Sequence, residues 1–201
     1  MAYVDAADKK QPLKLIPCRY GRLIDSEAVE GSENLDESYA AVRMFVKKPM
    51  EKRIDVDRLR TDLLNLRARL EKGFSPDTAV NGLQNDVPSA GHCAAATAIV
   101  WETLGGSLVS TSIRGMSHWF NRVQADDQLL DLDITGDQFG YPAVQIKPAE
   151  ELYPYTRERS PDELNDETLH RAALLARRAG LSEVAEALEK RRQLLQSRLA
   201  I

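Results

Sequence analysis

Apolar residues recur at steps of three and four at Val56, Leu59, Leu63, Leu66 and Leu70, which places them on one face of a helix and leaves Arg58, Arg60, Arg67 and Arg69 on the others. Gly73 stands where a C′ residue ends such a helix. A leucine stripe only two heptads long reads as a core contact, not a coiled-coil seam. Ser75-Pro76 supplies an N-cap followed by proline at the first helical position, predicting a short helix before a loop from Asn81 to Ala90. From Cys93 to Leu104 the chain is rich in alanine and other small or apolar residues, the pattern of a helix buried on most sides, and Gly105-Gly106 terminates it.

The period then shortens to two. Leu108–Ile113, a strand carrying His118 and a strand from Leu129 to Thr135, the last two joined by a turn at Ala125-Asp126-Asp127, predict a small antiparallel sheet beside the helix. Ser160-Pro161-Asp162-Glu163 has the form of a capping box with proline at its first helical position. Two amphipathic segments follow, Glu167–Ala179 and Ser182–Leu199, broken at Gly180-Leu181; this fits a helical hairpin with Leu169, Leu174, Val184, Leu188, Leu195 and Leu199 among its apolar positions. At the other end, Leu13–Ile24 and Tyr39–Val46 have strand character and flank an acidic loop from Asp25 to Asp36. The expectation is an α+β chain in three parts: an N-terminal extension (1–54), a core domain (55–157) and a C-terminal helical hairpin (158–201).

Composition narrows the class. The chain has 201 residues, 43% hydrophobic and 29% charged, enough for one compact domain with an appendage. A net charge of −4 gives no electrostatic footprint for nucleic acid. No run of about 18 apolar residues reads as a membrane span. The N-terminus lacks the basic-then-apolar order of a secretory signal, so a cytoplasmic location is expected, with Cys18 and Cys93 as free thiols. A disulfide between them would cap the sulfur on which the chemistry below depends.

That chemistry lies in residue order. A cysteine at a helix start, then a histidine on a strand, then an acid on the next strand is the order of a thiol-nucleophile triad. Unpaired amides and the helix dipole at the start favour the Cys93 thiolate. His118 would take the thiol proton and Asp133 would orient the ring. If the turn pairs Val123 with Gln128, His118 faces Asp133 and shares a face with Asp131; a slip of one residue would substitute Leu132 or Ile134. Asp131, nearer the turn, is expected to be more exposed, and Asp137 to serve its local turn. The Cys93 amide is one candidate oxyanion donor, Gln84 or Asn85 in the preceding loop a second, and Trp119 a substrate-binding candidate. Singly, a cysteine in an alanine-rich helix or a histidine beside aromatics is ordinarily structural; their joint order points to catalysis. A zinc site of His92, Cys93 and His118 lacks a paired Cys or His motif, so neither metal nor cofactor is expected.

Gly91-x-Cys93 with its alanine-rich helix, Gly105-Gly106, Ser117-His118-Trp119-Phe120-Asn121-Arg122 and Asp133-Ile134-Thr135-Gly136-Asp137-Gln138-Phe139 together resemble the bacterial YunG-like family over residues 56 to about 140. The order Cys, His, Asp on a helix and sheet is also similar to the papain-like and transglutaminase-like superfamily. That resemblance implies a core of an N-terminal helix and a cysteine-bearing helix packed on a small antiparallel sheet, with Cys93 as nucleophile, His118 as base and Asp133 as orienting acid.

The expected function is a cysteine-nucleophile hydrolase (peptidase, amidase or deamidase) acting on an amide or related acyl bond through a Cys93 thioester, with a peptide or protein as the substrate in view. The alternative of a different class is a non-catalytic protein-binding module that retains the fold.

Overall fold

The computed structural model describes the backbone of residues 16–17 and 23–24 and the chain over 55–83 and 86–199. The chain divides into two compact units, Met1–Val42 and Arg43–Ile201. In the first, β1 (Ile16–Pro17) pairs antiparallel with β2 (Leu23–Ile24), within the stretch expected to have strand character. Tyr39–Val46, the Asp25–Asp36 loop and Cys18 lie outside the described residues.

The second unit opens with α1 (Val56–Glu71), whose start is capped by Asp55 accepting from the Asp57 amide at 2.9 Å. Its stripe is the core contact expected: Leu59, Leu63, Leu66 and Leu70 are buried. Arg67, by contrast, does not decorate an outer face. It is buried because it donates to both carboxylate oxygens of Asp137, at 2.9 and 2.7 Å, and to the Ile134 carbonyl at 2.6 Å. Ser75-Pro76 begins a turn instead of a helix: Ser75 Oγ is taken by the Gly73 carbonyl and Asp77, and only Val80–Gly82 forms a single 3-10 turn.

The alanine-rich run forms α2 (Cys93–Leu104), ended by Gly105. Next comes β3 (Ser107–Ile113), then β4 (Met116–Ala125) and β5 (Gln128–Asp133), joined by a two-residue turn at Asp126-Asp127. Gly106 must be glycine: its φ is +81°, and a Cβ there would lie 2.4 Å from the Arg122 carbonyl oxygen. Two edge strands not read from the sequence complete the sheet, β6 (Gln145–Pro148) and β7 (Arg157–Arg159), giving the antiparallel order β6-β5-β4-β3-β7.

The capping box at Ser160–Glu163 is present, but it caps a 3-10 turn (Pro161–Glu163). The chain is extended at Leu164 and a second cap, Asn165, starts α3 (Asp166–Arg178). After the break at Gly180-Leu181, α4 (Ser182–Leu199) packs against α3 as the expected hairpin. Leu175, not Leu174, is the deeper residue of α3.

The sheet has two differently furnished faces. One main core joins all four helices to Leu108, Val123, Ala125, Leu130, Leu132 and Ile134. A smaller cluster of Val109, Ile113, Phe120, Phe139 and Tyr153 belongs to the other face, covered by the segment between β5 and β7. Alternation along β4 puts His118 and Phe120 on that second face and Trp119 and Asn121 on the first. Among the described residues no helix is long and apolar enough to cross a membrane.

Candidate active site

Cys93 is the first residue of α2 and is partly exposed, with a free thiol. Its Sγ lies 3.9 Å from the carbonyl oxygen of Ser117, the residue before His118. The N-cap, His92, gives no side-chain cap to the helix. Its ring is engaged elsewhere: Nδ1–H donates to the Ala90 carbonyl at 3.0 Å, while Nε2 accepts from the Ser75 amide at 3.4 Å and meets Thr78 Oγ1 at 2.9 Å. Because the Ser75 N–H can only donate, Nε2 is the bare nitrogen and the ring is neutral. Burial pushes the His92 pKa down, consistent with that state. His92 is therefore a strut for the loop before α2, and the first-turn amides of α2 are left without a side-chain cap.

His118 is fully buried among Phe120, Phe139 and Tyr153, with ring centroids 6.1, 4.8 and 5.2 Å away. Its Nε2–H donates to Asp133 Oδ2 at 2.8 Å. Asp133, 1% exposed, is itself held at both oxygens: Oδ1 accepts from the Thr135 amide (2.8 Å) and hydroxyl (3.1 Å), and Oδ2 also accepts from the Tyr153 hydroxyl (2.5 Å). Burial raises the Tyr153 pKa, and the neighbouring Asp133 charge raises it further, so the phenol keeps its proton and donates. With Nε2 committed to Asp133, Nδ1 is the nitrogen left for Cys93; the Gln138 side-chain amide lies 3.5 Å from it. Burial opposes a charge on His118, but the Asp133 hydrogen bond, the Cys93 side chain and both their charges outweigh it and push its pKa up to about 9.

The register differs from the expected one while preserving the meeting. Val123 pairs with Leu130, not Gln128, and Arg122 pairs with Asp131. A shift of two residues keeps every side chain on its face, so Asp133 remains beside His118 but diagonally. Asp131 is not exposed. It is completely buried, bound through Oδ1 to Arg122 Nε (2.6 Å) and through Oδ2 to Arg122 Nη2 (3.1 Å), and it accepts the Glu150 amide at 2.8 Å. Asp137 likewise serves more than its turn: besides Arg67 it accepts from Ser89 Oγ at 2.5 Å, tying the loop before α2 to the segment after β5.

The structure thus brings together Cys93, His118 and Asp133. Trp119 is not with them; it lies on the opposite face of β4, packed against the main core with the Arg159 guanidinium 5.3 Å over its ring. Gln84 and Asn85 lie outside the described residues. Tyr153, Thr135 and Gln138 are the members that sequence reasoning missed. Thr135 and Gln138 stand inside the quoted Asp133–Phe139 segment, where a signal existed, whereas Tyr153 follows an irregular stretch with no pattern to mark it.

The family described as YunG protein matches residues 62–180, more than half of the chain. The chain belongs to the YunG family. The match begins within α1 and runs through α3, so YunG similarity extends further than the resemblance ending near residue 140, and α3 is part of the shared region. No curated protein and no solved structure matches the chain.

Proposed function

We propose that this YunG-family protein is a cysteine-nucleophile hydrolase of the papain-like or transglutaminase-like kind, acting on an amide or related acyl bond through a Cys93 thioester. The observation that carries the reading is the buried His118, tied by one ring nitrogen to a fully hydrogen-bonded Asp133 and left with the other for a partly exposed cysteine at an uncapped helix start. A histidine needed only for packing does not require a carboxylate oriented by four hydrogen bonds.

In the proposed reaction the Cys93 proton already resides on His118, whose pKa of about 9 keeps the imidazolium at neutral pH, and the thiolate sulfur attacks the substrate carbonyl. Asp133 stabilises the imidazolium, and the oxygen's developing charge is received by the amides at the α2 start. Collapse of the tetrahedral intermediate breaks the C–N bond as His118 returns the proton to the leaving nitrogen. Water, deprotonated by His118, then cleaves the thioester to release the acid and restore the thiol. Gln138, whose side-chain amide is already beside the ring, is placed to serve as a further donor.

The test is the pseudo-first-order rate of Cys93 alkylation by iodoacetamide near neutral pH, followed by mass spectrometry. The wild-type rate should exceed that of His118→Ala by at least about tenfold, since the histidine supplies the thiolate's counter-charge. Equal rates in two folded proteins would refute the assignment.

A further inference from the structure

Ser89 is completely buried in the loop before α2, and its hydroxyl is committed to a distant part of the chain: Oγ donates to Asp137 Oδ1 at 2.5 Å. The same carboxylate accepts both Nη1 and Nη2 of the buried Arg67 on α1, at 2.9 and 2.7 Å, and Arg67 Nη1 also donates to the Ile134 carbonyl at 2.6 Å. Taking such an ion pair out of water offsets much of its own attraction, so its presence is weak evidence of added stability. Fixing one arrangement of chain segments is the better account of it.

The segments it joins are those that end at the candidate active site. From Ser89 the chain reaches Cys93 through bonded backbone: the Ser89 carbonyl accepts the His92 amide at 3.0 Å, the Gly91 carbonyl accepts the Val80 amide at 2.9 Å, and the His92 carbonyl accepts the Ala96 amide at 2.8 Å, a bond of the first turn of α2. A displacement at Ser89 is therefore passed on to the helix start. Because His92 gives α2 no side-chain cap, the attachment through Ser89 restrains a helix start that lacks a restraint of its own. Asp137, at the other end, lies in the 3-10 turn Gly136–Phe139. Its neighbours there meet the imidazole: the Gln138 side-chain nitrogen is 3.5 Å from His118 Nδ1, and the Phe139 ring stands edge-on to His118 with centroids 4.8 Å apart. Ile134, whose carbonyl Arg67 holds, is the residue after Asp133.

We propose that Arg67, Asp137 and Ser89 form a positioning bridge that sets the Cys93 sulfur against the His118 ring. This rests on the reading of Cys93 and His118 as a reacting pair and adds to it the groups that fix their separation. The bridge runs from the turn that presents the sulfur to the turn that packs on the imidazole, with one arm on the strand end that carries the acid, and it takes no part in the bond changes.

Ser89→Ala deletes the link to the cysteine loop and leaves Arg67 and Asp137 paired. Cys93 alkylation by iodoacetamide near neutral pH should then be slower by at least about threefold, a small part of what a misplacement of about 1 Å costs a reacting pair. The acid limb of the rate–pH profile should move to higher pH, because an imidazolium held farther away stabilises the thiolate less. Glu71→Gln is the control: it alters the other carboxylate on Arg67, 2.9 Å from Nε and half exposed, and should leave rate and profile unchanged. A bridge that serves stability alone would lower the urea midpoint of Ser89→Ala with the profile unmoved, and that result overturns the proposal. Equal slowing in Glu71→Gln also overturns it, since the effect would then be a general loosening around Arg67. If Ser89→Ala fails to fold, Arg67→Lys, which keeps the charge but not the two-pronged grip on Asp137, is read in the same way: a displaced profile supports the bridge and an unmoved one overturns it. NMR of the His118 ring supplies a readout independent of the thiol, with resonances that should move in Ser89→Ala and stay in place in Glu71→Gln. A Cys93 as slow in the wild type as in His118→Ala, with the ring resonances still moved by Ser89→Ala, sinks the nucleophile reading and leaves the bridge standing.

Discussion

His118 and Asp133 are diagonal neighbours across β4 and β5, because the directly opposed pair one step nearer the turn is Arg122 and Asp131. Two carboxylates two residues apart on one face thus have separate partners. Asp131 receives a guanidinium and Asp133 an imidazole, so the same strand supplies a fastening and a candidate catalytic group.

That division predicts different failures. Asp133→Asn should slow Cys93 alkylation, since an amide cannot stabilise the imidazolium. Asp131→Asn should leave the rate nearly unchanged and instead lower the unfolding free energy by about 1.5–3 kcal/mol, the worth of charged hydrogen bonds lost around a buried carboxylate. Alkylation kinetics and urea denaturation on both variants separate the effects. Loss of reactivity in Asp131→Asn, with Asp133→Asn unaffected, would reverse the roles.

The raised pKa of His118 also sets a pH dependence. Its folded value, about 9, lies above the ordinary 6.5, so the folded state holds the proton more tightly than the unfolded chain. The resulting stabilisation is fully present below about pH 6.5 and is lost as pH rises through 9. Urea unfolding measured from pH 6 to 10 should show this decline in the wild type and a flatter curve in Asp133→Asn, where the main partner of the imidazolium is gone. Parallel curves would contradict it.

The elements that sequence patterning foresees are those whose residues carry their own periodicity. α1 reads from its leucine stripe, α2 from its alanine run and glycine stop, and β3 to β5 from alternation. β6 and β7 are short edge strands whose pairing is decided by their neighbours on β5 and β3, so no local pattern announces them. Arg67 is misread for a related reason: helical spacing records which positions are charged, not that Asp137 waits 70 residues on to receive the charge. The same holds at the candidate site. Cys93, His118 and Asp133 are legible from their order and face parity, and parity survives the two-residue register error. Tyr153 is not legible, because its role exists only once the segment after β6 folds back over His118.

Tyr153→Phe tests that late-arriving member. The phenol and His118 donate to the same oxygen of Asp133, so removing the phenol leaves the carboxylate more basic and its hold on the imidazolium stronger. The His118 pKa, followed by NMR of the ring, should rise above its wild-type value, while stability falls by about 1 kcal/mol for the lost net hydrogen bond. A fall in the His118 pKa would mean that the tyrosine matters chiefly by positioning the carboxylate.

Cys93→Ala should change the unfolding free energy by about 1 kcal/mol or less, since it removes one partly exposed sulfur whose nearest polar contact is a 3.9 Å approach to the Ser117 carbonyl. A substantially larger loss in thermal or urea denaturation would assign the cysteine to packing.

Gly136→Ala probes whether the positions of Asp133 and its surroundings are held by the backbone. Gly136 begins the turn after β5, and a Cβ there would stand 2.6 Å from the Pro142 carbonyl oxygen, 2.6 Å from Gln145 Nε2 and 3.2 Å from Asp133 Oδ2. The Gln145 amide can swing aside, but it would then lose its 3.0 Å bond to the Tyr153 hydroxyl. The Pro142 carbonyl is backbone and must move with its segment. Overpacking of this kind costs about 1–3 kcal/mol, and here part of the strain falls on Gln145, whose side chain bonds the Tyr153 hydroxyl that in turn bonds Asp133. The variant should therefore be less stable and slower in Cys93 alkylation, although residue 136 lies in neither the sulfur's nor the imidazole's own contacts. Adding Tyr153→Phe to Gly136→Ala should then cost less stability than Tyr153→Phe alone, because the glycine change has already loosened the tyrosine's hydrogen bonds. Strict additivity of the two losses would show that the methyl group is absorbed without disturbing Asp133, and that the turn is not what holds the carboxylate in place.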